Sequence, residues 1–298
     1  MPFKYINPGY WKLYSPTGGR QYSGVNYNPI NGVYLGDTCK GYILFPSECE
    51  EIWAKTGVTL YGTGNFGEFG IGVVSSESHY NERKSSETLY GFRVVGGVIY
   101  AYIGTARTQA ISGTWVTQQY HNLLLHSRNG ENGLLELFID GKLVHSYEGN
   151  VSWGAHQITF RNNNGQTCFS NTIVSDTLIT PSEEVYIVSP STTEATMTES
   201  DGVYTATEAN QTFKQGIDVS ALISKIGSSN IKITGTGVIA RDALFDGEGL
   251  TKIASMRDDV EKQEFVLTDV AYDVVSAWGE DLTLAGLAAL KVGWKTKA

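Results

Sequence analysis

One theme governs the chain from Gly41 to Ile179: a short run of leucine, β-branched and aromatic residues, a turn, then another run. KGYILFP, EFGIGVVSS, ETLYGFRVVGG, VIYAYIGTA, HNLLLHS, LLELFID, KLVHSY, HQITFRN and FSNTIVSDTLI follow one another in this way. Runs this short, bounded by Gly, Asn, Asp and Pro, read as strands. Helical stretches between them would be needed for the crossovers of a parallel sheet, and none is seen. The predicted class is therefore all-β, a sandwich or barrel.

The segment GLLELFIDGKLVHSYEG, residues 133–149, shows how such strands are joined. Leu135, Leu137 and Ile139 share one parity; Glu136 and Phe138 share the other. Asp140-Gly141 interrupts, and Leu143, His145 and Tyr147 continue. An Asp-Gly pair between two β runs favours a two-residue type I′ turn, whose central residues both need positive φ. The reading is a hairpin whose leucines and isoleucine face a core. Upstream, Ile52, Ala54, Val58 and Leu60 recur at even spacing, as in a half-buried strand.

The 298 residues suit two domains, with 41% hydrophobic residues and only 18% charged. The 34 glycines and 17 tyrosines fit many short strands and turns. A net charge of −9 without clustered Lys and Arg argues against a nucleic-acid partner, which would need cations for the phosphates. Cys39, Cys49 and Cys168 are too few for a disulfide framework; Cys39 and Cys49 could pair, but three buried thiols are the better reading. The opening MPFKYINPGYWKLYSP has no apolar h-region, so no Sec leader is expected, and no apolar run approaches a membrane span.

TPSEEVYIVSPSTTEATMTES changes the texture to Ser, Thr, Glu and Pro. A boundary is placed near residues 181–186, giving a first domain at 1–182 with an irregular N-terminal arm and a second, smaller β-rich domain at 185–298. In the second, a helix is expected after a cap at Asp218 or Ser220. DLTLAGLAAL reads as a short helix or turn feeding a last strand.

Read in order, several segments resemble one family. EEIWAKTGVTLYG (50–62) is similar to a strand motif of concanavalin A-like lectin/glucanase jelly rolls found in tailed-bacteriophage virion proteins. HNLLLHS with LLELFIDGKLVHSYEG (121–149) looks like that family's hairpin, also familiar from laminin G-like domains. FSNTIVSDTLI (169–179) looks like its late strand, and WGEDLTLAGLAALKVGWK (278–295) resembles the closing segment of phage tail or collar proteins. The resemblance covers residues 41–180 well and the rest loosely. It implies a concanavalin A-like jelly-roll β-sandwich of two antiparallel sheets, glycan or surface binding in some members and scaffolding in others; the fold alone does not choose.

Catalytic patterns are weak. Gly62-Thr-Gly64-Asn-Phe-Gly67 matches GxGxxG, but a β-like run follows it where a dinucleotide site needs a helix. The resemblance implies that a glucanase of this fold would usually carry Glu-x-Asp-x-x-Glu on one strand, and no such run occurs. Glu48, Glu50 and Glu51 read as an exposed strand start; Glu136 and Asp140 are the nearest strand-borne acids, with Asp140 explained by the turn. His121 and His126 are five apart and would face opposite sides of a strand, and neither HxH nor HExxH is present. Asp242, Asp246 and Glu248 fit no EF-hand spacing and read as a plain turn, with a calcium site as the lesser alternative. No enzyme activity, cofactor or metal is expected.

Binding candidates fall on loops. SSESHYNERKSSE offers Tyr80 for stacking and Asn81 and Arg83 for hydrogen bonds; RNNNGQT offers Asn162, Asn163 and Asn164. Aromatic faces and amides suit sugars, although Asn-rich loops are also ordinary turn chemistry. The expected role is a non-enzymatic structural or adhesive component of a bacteriophage particle, assembled in the host cytoplasm. The expected partners are other virion proteins or copies of itself in a homo-oligomer, and host-surface glycan, with no membrane insertion. The alternatives are a carbohydrate-binding module and, behind it, a glycoside hydrolase.

Overall fold

The structure, a computed structural model, describes residues 4–7, 25–28, 32–35, 40–61, 66–72, 89–95, 98–104, 106–114, 119–163, 166–186, 190–245, 250–267 and 272–297. The chain divides into two compact units, Met1–Val185 and Tyr186–Ala298.

The strands of unit 1 are β1 (Lys4–Asn7), β2 (Val25–Asn28), β3 (Gly32–Leu35), β4 (Lys40–Leu44), β5 (Glu51–Tyr61), β6 (Phe66–Gly72), β7 (Leu89–Val95), β8 (Val98–Gly104), β9 (Ala106–Thr114), β10 (Tyr120–Arg128), β11 (Gly130–Ile139), β12 (Lys142–Val151), β13 (Gln157–Asn163) and β14 (Gln166–Ser175). Among the described residues, one eight-stranded sheet runs β12-β11-β10-β5-β14-β3-β2, with β1 also on β14. A six-stranded sheet runs β4-β13-β6-β7-β8-β9. Consecutive strands β4 and β5 lie in different sheets, as do β13 and β14, and the two ribbons run together: β13 pairs with β4 while β14 pairs with β5. This wrapping makes a jelly-roll β-sandwich, so the unit is all-β, as expected.

The sheets meet face to face. Phe160 of β13 sets its ring edge-on against Phe169 of β14, with centroids 5.0 Å apart. Ile52, Ala54, Val58, Leu125, Leu135 and Leu137 enter the core from one sheet; Ile43, Phe69, Ile71 and Phe92 enter from the other. Trp153 closes one end, with its indole Nε1 donating to Ser127 Oγ at 2.9 Å and its ring edge-on to Phe45.

The β11–β12 hairpin has the turn its sequence demands, with Asp140 at φ 50 and Gly141 at φ 78. Its second strand departs from simple alternation. Leu137 pairs with His145 and Phe138 with Leu143, leaving Val144 as an extra residue. Such a bulge flips the parity beyond it. Leu143, expected in the core, is 46% exposed instead.

His145 lies on the inner side of that bulge, opposite the buried Leu137. Its Nε2 is buried without a hydrogen-bond partner, and burial pushes its pKa below the ordinary 6.5. The unfolded chain therefore takes up a proton here at higher pH than the folded one. This part of the stability is present above the unfolded pKa and is lost as pH falls from there through the lower folded pKa. The urea midpoint of His145→Leu relative to wild type should therefore rise as pH drops from 8 to 5. A constant difference across that range would remove His145 from the acid response.

Chain beyond β14 returns over the outer face of the eight-stranded sheet. Ile179 and Val185 pack there with Trp53, Leu124, Phe138 and Ile173. Lys55 stands in the middle of that face and is 2% exposed. Its ammonium donates to the Pro181 carbonyl at 2.7 Å and to the Glu183 carbonyl.

Unit 2 contains β15 (Pro190–Ala195), β16 (Thr198–Ser200), β17 (Val203–Thr205), β18 (Thr212–Ile217), α1 (Val219–Ile226), β19 (Ile233–Ala243), β20 (Lys252–Arg257), β21 (Val260–Val266), β22 (Tyr272–Leu282), α2 (Leu284–Ala289) and β23 (Lys291–Lys297). A five-stranded sheet, β15-β18-β23-β20-β21, is joined by the pairs β16–β17 and β19–β22. Leu222, Ile253, Phe265, Trp278, Leu287 and Trp294 form its core. Asp218 caps α1 by accepting from Ala221 N at 2.9 Å, and Gly227 ends the helix at φ 75. Thr283 caps α2, which leads directly into β23.

Candidate functional site

The residues proposed from sequence are only partly placed. Tyr80, Asn81, Arg83 and Asn164 lie outside the described residues. Asn162 and Asn163 end β13, opposite Gly67 and Phe66 of β6; the description there covers backbone alone. That register sets the start of the RNNNGQT segment, with Arg161 opposite Glu68, beside a polar row of the six-stranded sheet.

In that row Glu68 of β6 pairs with Arg93 of β7, and Arg93 with Tyr100 of β8. The Glu68 side chain is fully buried, with Arg93 Nε 3.4 Å from its Oε1. Arg93 Nη1 donates to the Tyr102 hydroxyl at 2.9 Å, and its guanidinium lies 5.1 Å from the centre of that ring. The adjoining row has no side chains where Gly70 pairs with Gly91. A Cβ at Gly91 would approach Phe69 O to 2.4 Å, so these two strands run too close for any other residue. Thr159 flanks the strip on one side, donating to Gly70 O at 3.1 Å, and Tyr102 flanks it on the other.

The eight-stranded sheet carries two histidine–carboxylate groups, one on each face. His126 of β10 points outward between two acids, with Nε2 2.7 Å from Glu51 Oε1 and Nδ1 2.8 Å from Glu136 Oε2. Its ring stacks on Trp53, with centroids 3.7 Å apart and planes 7° off parallel. His121 points inward, as its odd spacing from His126 requires, and its Nδ1 is 2.8 Å from Asp140 Oδ2. Asp140 thus does more than form the turn: its Oδ1 also accepts from Asn122 N at 2.8 Å, tying the hairpin tip to β10. Glu51, read from sequence as part of an exposed strand start, belongs to the His126 group.

Glu51, Glu68, Glu136 and Asp140 thus each lie beside a protein imidazole or guanidinium. Among the described residues no group of three or more His, Cys, Asp or Glu could hold a metal ion. Asp242 lies on β19, while Asp246 and Glu248 fall outside the description. Cys49 is a buried free thiol, pushed up to about 11 by burial first and then by Asp176 and Glu48. Cys39 and the side chain of Cys168 are outside the description. No helix among the described residues is long and apolar enough to cross a membrane.

Sequence reasoning missed the Glu68–Arg93 pair. Its signal was present: each residue is a lone charge inside an apolar alternation, in EFGIGVV and LYGFRVV, at positions that pair across neighbouring strands.

No protein-family model matches the chain, and no curated protein matches it. Solved structures give distant likenesses. A Trypanosoma rangeli sialidase in complex with sialic acid aligns at 12% identity and a TM-score of 0.42, over 56% of this chain and 28% of that one. Bacillus licheniformis β-glucanase aligns at 9% identity and 0.42, over 59% and 98%. The receptor binding domain of a botulinum neurotoxin C/D mosaic serotype aligns at 12% and 0.40, over 59% and 48%. The match thus spans little more than a quarter of the sialidase. At these values no activity passes from any of them to this chain.

Proposed function

We propose that the protein is a non-enzymatic structural or adhesive component of a bacteriophage particle. Its jelly-roll unit would meet copies of itself, other virion proteins or glycan on a host surface. The observation that carries the non-enzymatic part is the commitment of the central carboxylates: Glu68 to Arg93, Glu51 and Glu136 to His126, and Asp140 to His121. A retaining glycosidase would hold two such groups about 5 Å apart and open to substrate. The phage assignment is supported by the order of the sequence motifs between residues 41 and 180.

A second reading is a carbohydrate-binding module. It is favoured by Tyr120, an aromatic side chain 44% exposed on the outer face of the eight-stranded sheet.

Sedimentation of a phage lysate through a density gradient tests the proposal, with the protein followed by antibody. It is expected in the particle band. Recovery in the soluble fraction alone would overturn the virion assignment. Release of reducing ends from polysaccharide by the purified protein, abolished in Glu68→Gln, would overturn the non-enzymatic one.

A further inference from the structure

We infer that the outer face of the eight-stranded sheet carries a contact site for a neutral pyranose, built on Tyr120, Asn122 and Asn171. The inference deepens the adhesive reading above and rests on it. Tyr120 opens β10, and the phenol end of its ring lies over Gly57 of β5. A Cβ at Gly57 would fall 2.0 Å from the hydroxyl oxygen and 2.3 Å from the carbon that bears it. Only glycine lets the ring settle onto the sheet there.

Two amides then hold the ring. The Tyr120 hydroxyl donates to Asn122 Oδ1 at 3.3 Å, and Asn171 Nδ2 donates to that hydroxyl at 3.4 Å. Asn171 reaches it because the pairing of β14 with β5 slips between Ser170 and Ile173. The displaced Asn171 takes a left-handed conformation at φ 49, which asparagine tolerates better than most residues.

With one face of the ring backed by Gly57, its solvent exposure falls on the other. A sugar ring presents a C–H patch to such a face and a rim of hydroxyls around it. Asn122 Nδ2 and Asn171 Oδ1 supply one donor and one acceptor at the ring edge for that rim. The aromatic ring is held before any ligand arrives, which lowers the ordering cost of binding. The residues framing it (Gly57, Thr59, Asn122, Ser170 and Asn171) are uncharged. A neutral sugar fits this setting, whereas a uronic acid would find no cation among these residues to pair with its carboxylate.

Saturation-transfer NMR on the full chain tests the site, with cellohexaose, maltohexaose, laminarihexaose and chitohexaose as neutral probes and hexagalacturonate as the acidic one. At least one neutral probe is expected to show transfer, and hexagalacturonate to show less. Tyr120→Ala should weaken the signal about fivefold, the scale of one lost aromatic contact. Tyr120→Phe keeps the face but loses both amide bonds, so its signal should fall between those of wild type and Tyr120→Ala, with circular dichroism confirming that both variants fold. Transfer that survives Tyr120→Ala overturns this site while leaving the adhesive reading in place. Absence of transfer from every neutral probe, or a preference for hexagalacturonate, also overturns it; the gradient experiment judges the virion reading separately.

Discussion

Lys55→Ala is expected to lower the unfolding free energy by roughly 3 kcal/mol or more, a large share of the about 5–15 kcal/mol that holds a typical domain. The side chain is 2% exposed, and its ammonium donates to two carbonyls of the returning segment, those of Pro181 and Glu183. Burial pushes the Lys55 pKa below its ordinary 10.5, while Glu184 and Glu183 pull it back. Truncation removes the donors and the packed stem together and leaves the carbonyls against an apolar surface. Urea unfolding measures the loss. Limited proteolysis between Thr177 and Tyr186 should quicken in parallel, because that segment loses its central tie. Lys55→Met retains the stem and should show a smaller drop. An Ala variant with wild-type midpoint and wild-type proteolysis would mean that Ile179 and Val185 hold the segment unaided.

Trp153→Ala should cost about 3–5 kcal/mol, the range for deleting a large aromatic from a core. Trp153 is 1% exposed and fills the space beside Phe45 and His156, edge-on to both. Its Nε1–H also gives the fully buried Ser127 hydroxyl its partner. Trp153→Phe separates the two roles: it keeps most of the volume but strands the Ser127 oxygen, at a cost of about 1–3 kcal/mol. The test is a chemical denaturation series of both variants. Equal losses would show that the hydrogen bond, not the volume, dominates at this position.

Local chemistry made part of this fold readable in the sequence. Asp140-Gly141 specified its turn, Asp218 its cap, and the parity of Ile52, Ala54 and Val58 their inward face. Each depends on neighbours a few residues away. What stayed hidden depends on distant chain. Lys55 sits in an alternation where a lysine reads as solvent-facing, and only the return of residues 177–185 buries it. Gly57 reads as a weak spot in a strand until Tyr120 is laid over it. Nothing in residues 137–145 marks Val144 as the extra residue, so Leu143 was assigned to the wrong face. The site inferred on Tyr120, Asn122 and Asn171 was not legible, because periodicity presents these residues as ordinary strand and bulge positions; of the residues read from sequence, Tyr80, Asn81, Arg83 and Asn164 lie outside the described residues.

The Lys55 tie also bears on mechanics. A pull on the chain at Tyr186 would not begin by peeling β14 off the sheet at its free end. It would first meet the ammonium grip on Pro181 and Glu183 and the apolar grip on Ile179 and Val185. These deliver the load to β5 and β10, in the interior of an eight-stranded sheet whose ladders bear it together. A jelly roll tethered in this way resists tension as a clamp resists it, an asset for any module that must stay attached while its chain is tugged.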